Sequence, residues 1–218
     1  MDKPVAKCLF RQAGLPVARD LVIHRSAGPE AARKKVQQVL RQDVVIKPSS
    51  QGSAVGVAFA NSSESIEHIL LDTWSHDGSA LVEERIYGRE ITVGVLDIGN
   101  IQAFPVIEVR TPEGTWYDFE HRYTAGASQH VIPAPLPEAQ YQRTQEIALL
   151  AHQILGCRHL SRVDFIVPEE GEPILLEVNT LPGMTPTSLY PDGAQAAGIS
   201  FETLVAMLIE RALEHGRG

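Results

Sequence analysis

Two short stretches hold the residue types with the most chemistry in this 218-residue chain: Arg162-Val163-Asp164-Phe165, and Leu176-Glu177-Val178-Asn179. If both are strands, alternation puts Val163, Phe165 and Val167 on one face and Arg162 and Asp164 on the other. On the second strand Leu176 and Val178 share a face, and Glu177 and Asn179 take the opposite one. A hairpin turn centred on Glu170-Gly171 then sets Asp164 opposite Glu177 and Arg162 opposite Asn179. Two carboxylates facing each other across a ladder repel unless something bridges them. A hard divalent cation is a natural bridge, since Mg²⁺ takes one or two carboxylates together with substrate phosphates. The other reading is a solvated sheet face on which Arg162 neutralises one acid.

Three further segments carry polar groups suited to anions. The stretch Asn179-Thr-Leu-Pro-Gly-Met-Thr-Pro-Thr-Ser188 leaves the second strand. Its Gly183 lets backbone N–H groups approach a ligand, and Ser188 adds a hydroxyl. It is either a simple turn or an anion and oxyanion binder. In Lys47-Pro-Ser-Ser-Gln-Gly52-Ser53-Ala-Val-Gly56 a lysine ends one strand and a small-residue loop enters the next. Such a loop can turn N–H groups toward phosphate oxygens. It is not a Walker loop, because no Gly-Lys-Ser/Thr follows its glycines. In Glu83-Glu84-Arg85-Ile86-Tyr87-Gly88-Arg89-Glu90 acids crowd a strand junction, either as a solvated edge or facing the hydroxyls of a ribose.

The elements that must position these residues follow from pattern and punctuation. A first helix is capped by Asp2, has Pro4 in its first turn, shares Val5, Cys8 and Leu9 on one face and stops at Gly14. A second starts near Pro29 with Ala32, Val36, Val39 and Leu40 at helical spacing. Strands are expected at 43–48, 54–60, 79–86, 89–97, 101–109, 161–167 and 173–179, with a short helix at 63–71. Residues 110–135 show little periodicity, and a polar stretch of that length is functional or mobile as a rule. Ile147, Leu150, Ala151, Ile154 and Leu155 mark a helix ending at Gly156. A last helix runs from a Ser200 cap with Phe201, Leu204, Val205, Leu208 and Ala212 inward. Strands outnumber helices and come as adjacent pairs, which favours an α+β fold with mainly antiparallel sheets.

Composition narrows the class further. The formal charge is −8, from 19 basic and 27 acidic residues, which argues against a nucleic-acid partner. No apolar run reaches the ~20 residues of a membrane span, and the N-terminus lacks a secretory signal, so a cytoplasmic location is expected. Cys8 and Cys157 are read as buried free thiols. The scattered histidines, with no Cys-x-x-Cys, give no zinc pattern.

In this order and spacing the segments resemble the D-alanine–D-alanine ligases of the ATP-grasp superfamily, nearly end to end. The matching residues are Lys47-Pro with Gly52-Ser53, Glu83, Gly88-x-Glu90, and Tyr117-Asp118 with Tyr123. The most specific are Arg162-Val-Asp164 and Glu177-Val-Asn179-Thr-x-Pro-Gly183-Met-Thr-x-x-Ser188-Leu189. The resemblance implies an ATP-grasp fold of two subdomains gripping the nucleotide between them. The central subdomain would span 1–87 and the C-terminal subdomain 88–218, with a loop at about 110–135 closing over the site.

The resemblance also implies roles. Lys3, Lys47, Gly52, Ser53 and Arg122 would contact ATP phosphates or lie beside them, Glu83, Glu84 and Ile86 would surround adenine, and Glu90 would hold the ribose. Asp164, Glu177 and Asn179 would bind two Mg²⁺ or Mn²⁺ ions. Arg162 and the Gly183 N–H would stabilise an oxyanion. Ser188 and Leu189 would hold the carboxylate of the second D-alanine, and Tyr123 would close beside Ser53. Such ligases phosphorylate the first D-alanine's carboxylate and let the second amine attack, making a peptidoglycan precursor.

The chain departs from the pattern at Ala54, Arg122 and Glu84, and its resemblance starts after the N-terminal α/β domain that these ligases are expected to carry. Poor ligase activity of this chain alone is therefore expected, and a homodimer is implied only for the full-length form. The alternatives are an ATP-grasp ligase joining other amino acids, and a nucleotide-binding remnant without ligase activity.

Overall fold

The computed structural model describes residues 2–40, 43–52, 54–112 and 128–215. The chain forms two compact units, one of residues 1–8 with 17–86 and one of 9–16 with 87–218.

In the first unit a four-stranded antiparallel sheet has the order β1-β4-β2-β3, from β1 (Asp20–His24), β2 (Val44–Pro48), β3 (Ala58–Ala60) and β4 (Ser79–Glu84). Alternation divides its residues between two faces. One face carries Ile23, Val44, Ile46, Ala80 and Val82 into a core with α2 (Pro29–Val39) and α3 (Ser63–His76). Ala32 and Val36 of α2, and Leu40 just past its end, come inward as expected, whereas Val39 is exposed. A Ser62/Ser65 capping box starts α3, which runs past the expected 71 to His76. The expected strand at 54–60 is shorter, because Ala54 and Gly56 take positive φ and turn the chain before Ala58.

The other face of this sheet carries Asp20, Lys47 and Glu83, and α1 (Lys3–Gln12) brings lysines to it. The Asp2 side chain caps α1 by accepting from Val5 N at 3.0 Å. The inward residues of α1 are Lys3, Lys7 and Phe10, while Val5, Cys8 and Leu9 are exposed. That corrects both the expected apolar face and the expected burial of Cys8. The reason is pairing: charged residues go inside when oppositely charged or hydrogen-bonding groups wait there.

The second unit holds an antiparallel sheet of order β10-β9-β5-β7-β8, with β6 also paired to β5. Its strands are β5 (Arg89–Asp97), β6 (Ile101–Ala103), β7 (Ile107–Arg110), β8 (Gln129–Val131), β9 (His159–Val167) and β10 (Ile174–Asn179). The stretch expected as one strand at 101–109 is two, separated at 104–106, where Phe104 turns in to the core. β8 lies inside the region expected to be irregular.

Helices α4 (Glu138–Ile154), α5 (Leu189–Ala196) and α6 (Phe201–His215) complete the second unit. Ile147, Ala148 and Ala151 of α4 are buried, but Leu150 is exposed. Tyr190 of α5 packs on Phe104 with ring centroids 5.2 Å apart and donates its hydroxyl to Val95 O at 2.9 Å. Gly94 makes this approach feasible, since a Cβ there would lie 2.5 Å from the Phe104 ring. Ser200 caps α6 through Thr203 N at 3.2 Å, and Leu204 is its buried contact. Phe201 and Ala212, expected inward, are exposed.

Candidate functional site

Both sheets display a cross-strand pair of carboxylates. In the first unit Asp20 is paired with Glu83 across β1 and β4. Lys7 bridges them: its ammonium pairs with Glu83 Oε1, stands 3.9 Å from Asp20 Oδ1 and donates to Ala18 O at 3.1 Å. Lys47, from the neighbouring β2, reaches Glu83 Oε2 at 2.5 Å. Lys7 is 1% exposed, Glu83 3% and Lys47 8%. Burial pushes the Glu83 carboxyl up, but Lys47 and then Lys7 outweigh it and hold it down at about 2. Glu83 is therefore ionised between two cations.

The loop after Lys47 is fastened from two sides. Lys3 donates its ammonium to Gln51 O and, at 3.4 Å, to Pro48 O, and its backbone N–H to Ser49 O at 3.2 Å. Asp77 Oδ2, at the end of α3, accepts from Ser50 N at 2.9 Å and Ser50 Oγ at 2.7 Å. Gly52 accepts from Val55 N at 3.1 Å. Beyond the loop, Glu84 is engaged by Arg19 at 2.8 Å, and Arg85 lies 4.4 Å over the Phe59 ring.

In the second unit the expected register holds where chemistry is expected. Glu177 pairs with Asp164, Val178 with Val163 and Asn179 with Arg162. Closer to the turn the pairs are Ile174 with Ile166 and Leu175 with Phe165, so the ladder shifts by one residue between Leu175 and Glu177. Leu176 is the extra residue of a β-bulge. Leu175, rather than the expected Leu176, shares the buried face with Val178.

The opposite, polar face presents Arg162, Asp164, Glu177 and Asn179, with Thr92 and Glu90 following on β5. Asp164 accepts from Arg162 Nε at 2.8 Å, from Arg162 Nη2 at 2.7 Å and from Thr92 Oγ1 at 2.6 Å. Arg162 thus neutralises one acid. Glu177 has no hydrogen bond or ion pair among the described residues. Among those residues no three His, Cys, Asp or Glu side chains form a metal-type cluster. The oxygen set here reaches three donors only with the Asn179 amide.

The loop that follows returns to this face. Asn179 Oδ1 accepts from Leu181 N at 3.1 Å, and Ser188 Oγ accepts from Thr185 N at 3.0 Å. A Cβ on Gly183 would lie 2.7 Å from Ser188 Oγ, so these two expected site residues are in contact. Ser188 opens α5, where N–H groups and the positive end of the helix favour an anion. The Leu189 side chain is buried against Ile107 and Val109, so only its backbone can reach a ligand.

Ser53, Arg122 and Tyr123 lie outside the described residues, as do Tyr117 and Asp118. Lys7, Asp20, Thr92 and Asp77 were not singled out from sequence. A signal existed for Lys7: Lys3, Lys7 and Phe10 have the i, i+4, i+7 spacing of one helix face.

Comparison with known proteins adds to this geometry. The family profile described as D-ala D-ala ligase C-terminus matches residues 9–210. A D-alanine–D-alanine ligase of Halalkalibacterium halodurans is 41% identical over 216 residues, 98% of this chain and 70% of that protein. The crystal structure of VanG D-Ala:D-Ser ligase from Enterococcus faecalis is similar with a TM-score of 0.84 at 31% identity, covering 97% of this chain and 61% of that one. The D-alanine–D-alanine ligase of Bacillus anthracis complexed with ATP gives a TM-score of 0.81 at 28% identity, over 100% of this chain and 68% of that one. With antiparallel sheets and helices arranged as in these ATP-grasp ligases, and with the profile covering most of its length, the chain belongs to the D-alanine–D-alanine ligase family, which it matches through that family's C-terminal domain.

Proposed function

We propose that this chain is the ATP-binding and catalytic portion of a ligase that joins two D-alanines to D-alanyl-D-alanine for peptidoglycan synthesis. The observation that carries the reading is the polar face of β9 and β10. There an arginine, two facing carboxylates and an asparagine meet a Gly183–Ser188 loop at a helix N-terminus. The ATP complex of the Bacillus anthracis ligase supports the nucleotide as co-substrate. The γ-phosphoryl group passes to a carboxylate oxygen of the first D-alanine and ADP leaves. The amine of the second D-alanine then attacks the acyl carbon, and phosphate leaves as the amide forms.

The assigned roles rest on residue type and neighbours. Lys3, Lys47 and the Gly52–Ser53 loop take the phosphates, with Arg122 beside them. Glu83, Glu84 and Ile86 line the adenine, and Glu90 takes the ribose. The donors Asp164, Glu177 and Asn179 suit two Mg²⁺ or Mn²⁺ ions, being hard oxygen ligands of which Glu177 has no partner among the described residues. Such ions, when bound, neutralise the charge that builds on the phosphates. Arg162 and the Gly183 N–H stabilise the tetrahedral oxyanion, where a preorganised donor contributes about 3 kcal/mol. Ser188 and the Leu189 backbone hold the second carboxylate, and the family pattern gives Tyr123 and Ser53, outside the described residues, the role of excluding water.

A cytoplasmic site of action fits ATP as co-substrate; no helix among the described residues is long and apolar enough to cross a membrane. The similarity to VanG D-Ala:D-Ser ligase supports a second reading in which the second amino acid is D-serine. Hydroxylamine captures the acyl phosphate, so the test is ATP- and amino-acid-dependent hydroxamate formation, followed by dipeptide analysis. D-Alanine is expected to give hydroxamate and D-alanyl-D-alanine, at the poor rate expected of this chain alone. Hydroxamate from another amino acid and none from D-alanine overturns the assignment.

A further inference from the structure

The buried Lys7 belongs to none of the roles above, yet it is the hub of the charge cluster behind Lys47. Four charged groups meet on that face of the sheet: Lys7 and Lys47 against Asp20 and Glu83. Asp20 and Glu83 are cross-strand neighbours, an arrangement that repels without a bridging cation. Lys7 is that cation. Its 1% exposure and its hydrogen bond to Ala18 O leave it fixed in place.

We propose that Lys7 is a positioning residue for phosphate binding: by carrying the charge of the Asp20–Glu83 pair, it leaves Lys47 with positive charge to offer a nucleotide. The inference rests on the proposed ATP site. Without Lys7, the two buried carboxylates would lose the cation that bridges them, and the cluster would become more negative by one charge. Lys47, already 2.5 Å from Glu83, would have to offset charge that Lys7 now carries, and an incoming polyphosphate would meet less attraction. A charge effect of this kind scales with the charge of the ligand. It is therefore separable from simple loss of packing, which affects every nucleotide alike.

The test is titration of MgATP and of adenosine, the latter by competition, into the purified chain and into Lys7→Met, Lys7→Arg and Asp20→Asn. Lys7→Met is expected to weaken MgATP about tenfold more than it weakens adenosine, whose base also lies against Glu83 in the proposed site. Lys7→Arg keeps the charge and is expected within about twofold of wild type. Asp20→Asn removes one competing negative charge and is expected to tighten MgATP about threefold.

MgATP binding unchanged in Lys7→Met, or equal losses for MgATP and adenosine, overturns the proposal. So does weaker MgATP binding in Asp20→Asn, a variant that decides the matter alone if Lys7→Met fails to fold. Absence of MgATP binding in the folded wild-type chain is a distinct result, because it overturns the proposed nucleotide site itself.

Discussion

Glu177 faces Asp164 across β9 and β10 because Leu176 is one residue too many for the ladder. Were the strand straight, Leu176 would oppose Asp164, and Glu177 would point into the core beside Val163. The bulge keeps Leu175 and Val178 buried while turning Glu177 and Asn179 to the polar face. Arg162 already neutralises Asp164, so what the facing pair still costs is the residual repulsion on Glu177. Glu177→Gln is therefore expected to stabilise the chain without divalent cation by about 0.5 kcal/mol. The same change is expected to abolish the rise in melting temperature that Mg²⁺ with ATP gives the wild type. Thermal melts with and without Mg²⁺ and ATP measure both effects.

Glu83 links stability to acid. Its carboxyl is held down at about 2 by Lys47 and Lys7, against an ordinary value of 4.5. A depressed carboxyl contributes stability that is complete above about 4.5 and is lost as pH falls toward 2. The contribution is roughly 3 kcal/mol. Urea unfolding at pH 6 and pH 3 is expected to show a steeper loss in wild type than in Glu83→Gln.

His152 acts in a neighbouring window. It is buried on α4, with Nδ1 2.8 Å from Ser161 Oγ and Nε2 3.8 Å from Asp97 Oδ2. Burial pushes its pKa below 6.5, only partly opposed by Asp97. The folded state thus resists a proton that the unfolded chain accepts, and stability falls as pH drops below about 6.5. Denaturant midpoints at pH 7.5 and 5.5 are expected to differ less in His152→Gln than in wild type.

Gly183 and Ser188 form the other contact in which the structure leaves no room. A methyl group on Gly183 would sit 2.7 Å from Ser188 Oγ and displace it from Thr185 N. Gly183→Ala is expected to raise the KM for the second amino acid about tenfold or more and to leave MgATP affinity within twofold. Equal effects on both ligands would show that Ser188 is not set apart for the amino acid.

Much of this site was legible because charge and alternation constrain it together. Arg162, Asp164, Glu177 and Asn179 fall on one face for any register that buries Val163, Phe165 and Val178. The bulge itself was not legible, since Leu175 and Leu176 are both apolar and either could face the core. The buried face of α1 is hidden in the sequence for a related reason: a helix with lysines at 3 and 7 looks solvated until their partners, the Gln51 carbonyl and Glu83, are known. Helix α5 has no clear sequence signal, since it holds both Pro191 and Gly193; Pro191 lies in its first turn and Gly193 packs closely on Phe104. Antiparallel pairing was legible for strands that follow one another, as β2 with β3 and β9 with β10, but not for β1 with β4 or β5 with β9, which pair across intervening elements.

The central claim is that this chain binds Mg-nucleotide through the carboxylates of β9 and β10. Calorimetric titration of MgADP and MgATP into the purified chain and into an Asp164→Ala/Glu177→Ala double variant tests it most directly. The account predicts metal-dependent binding in the wild type and its loss in a folded double variant. Nucleotide binding that survives the double substitution, or none at all in a folded wild-type chain, would contradict it.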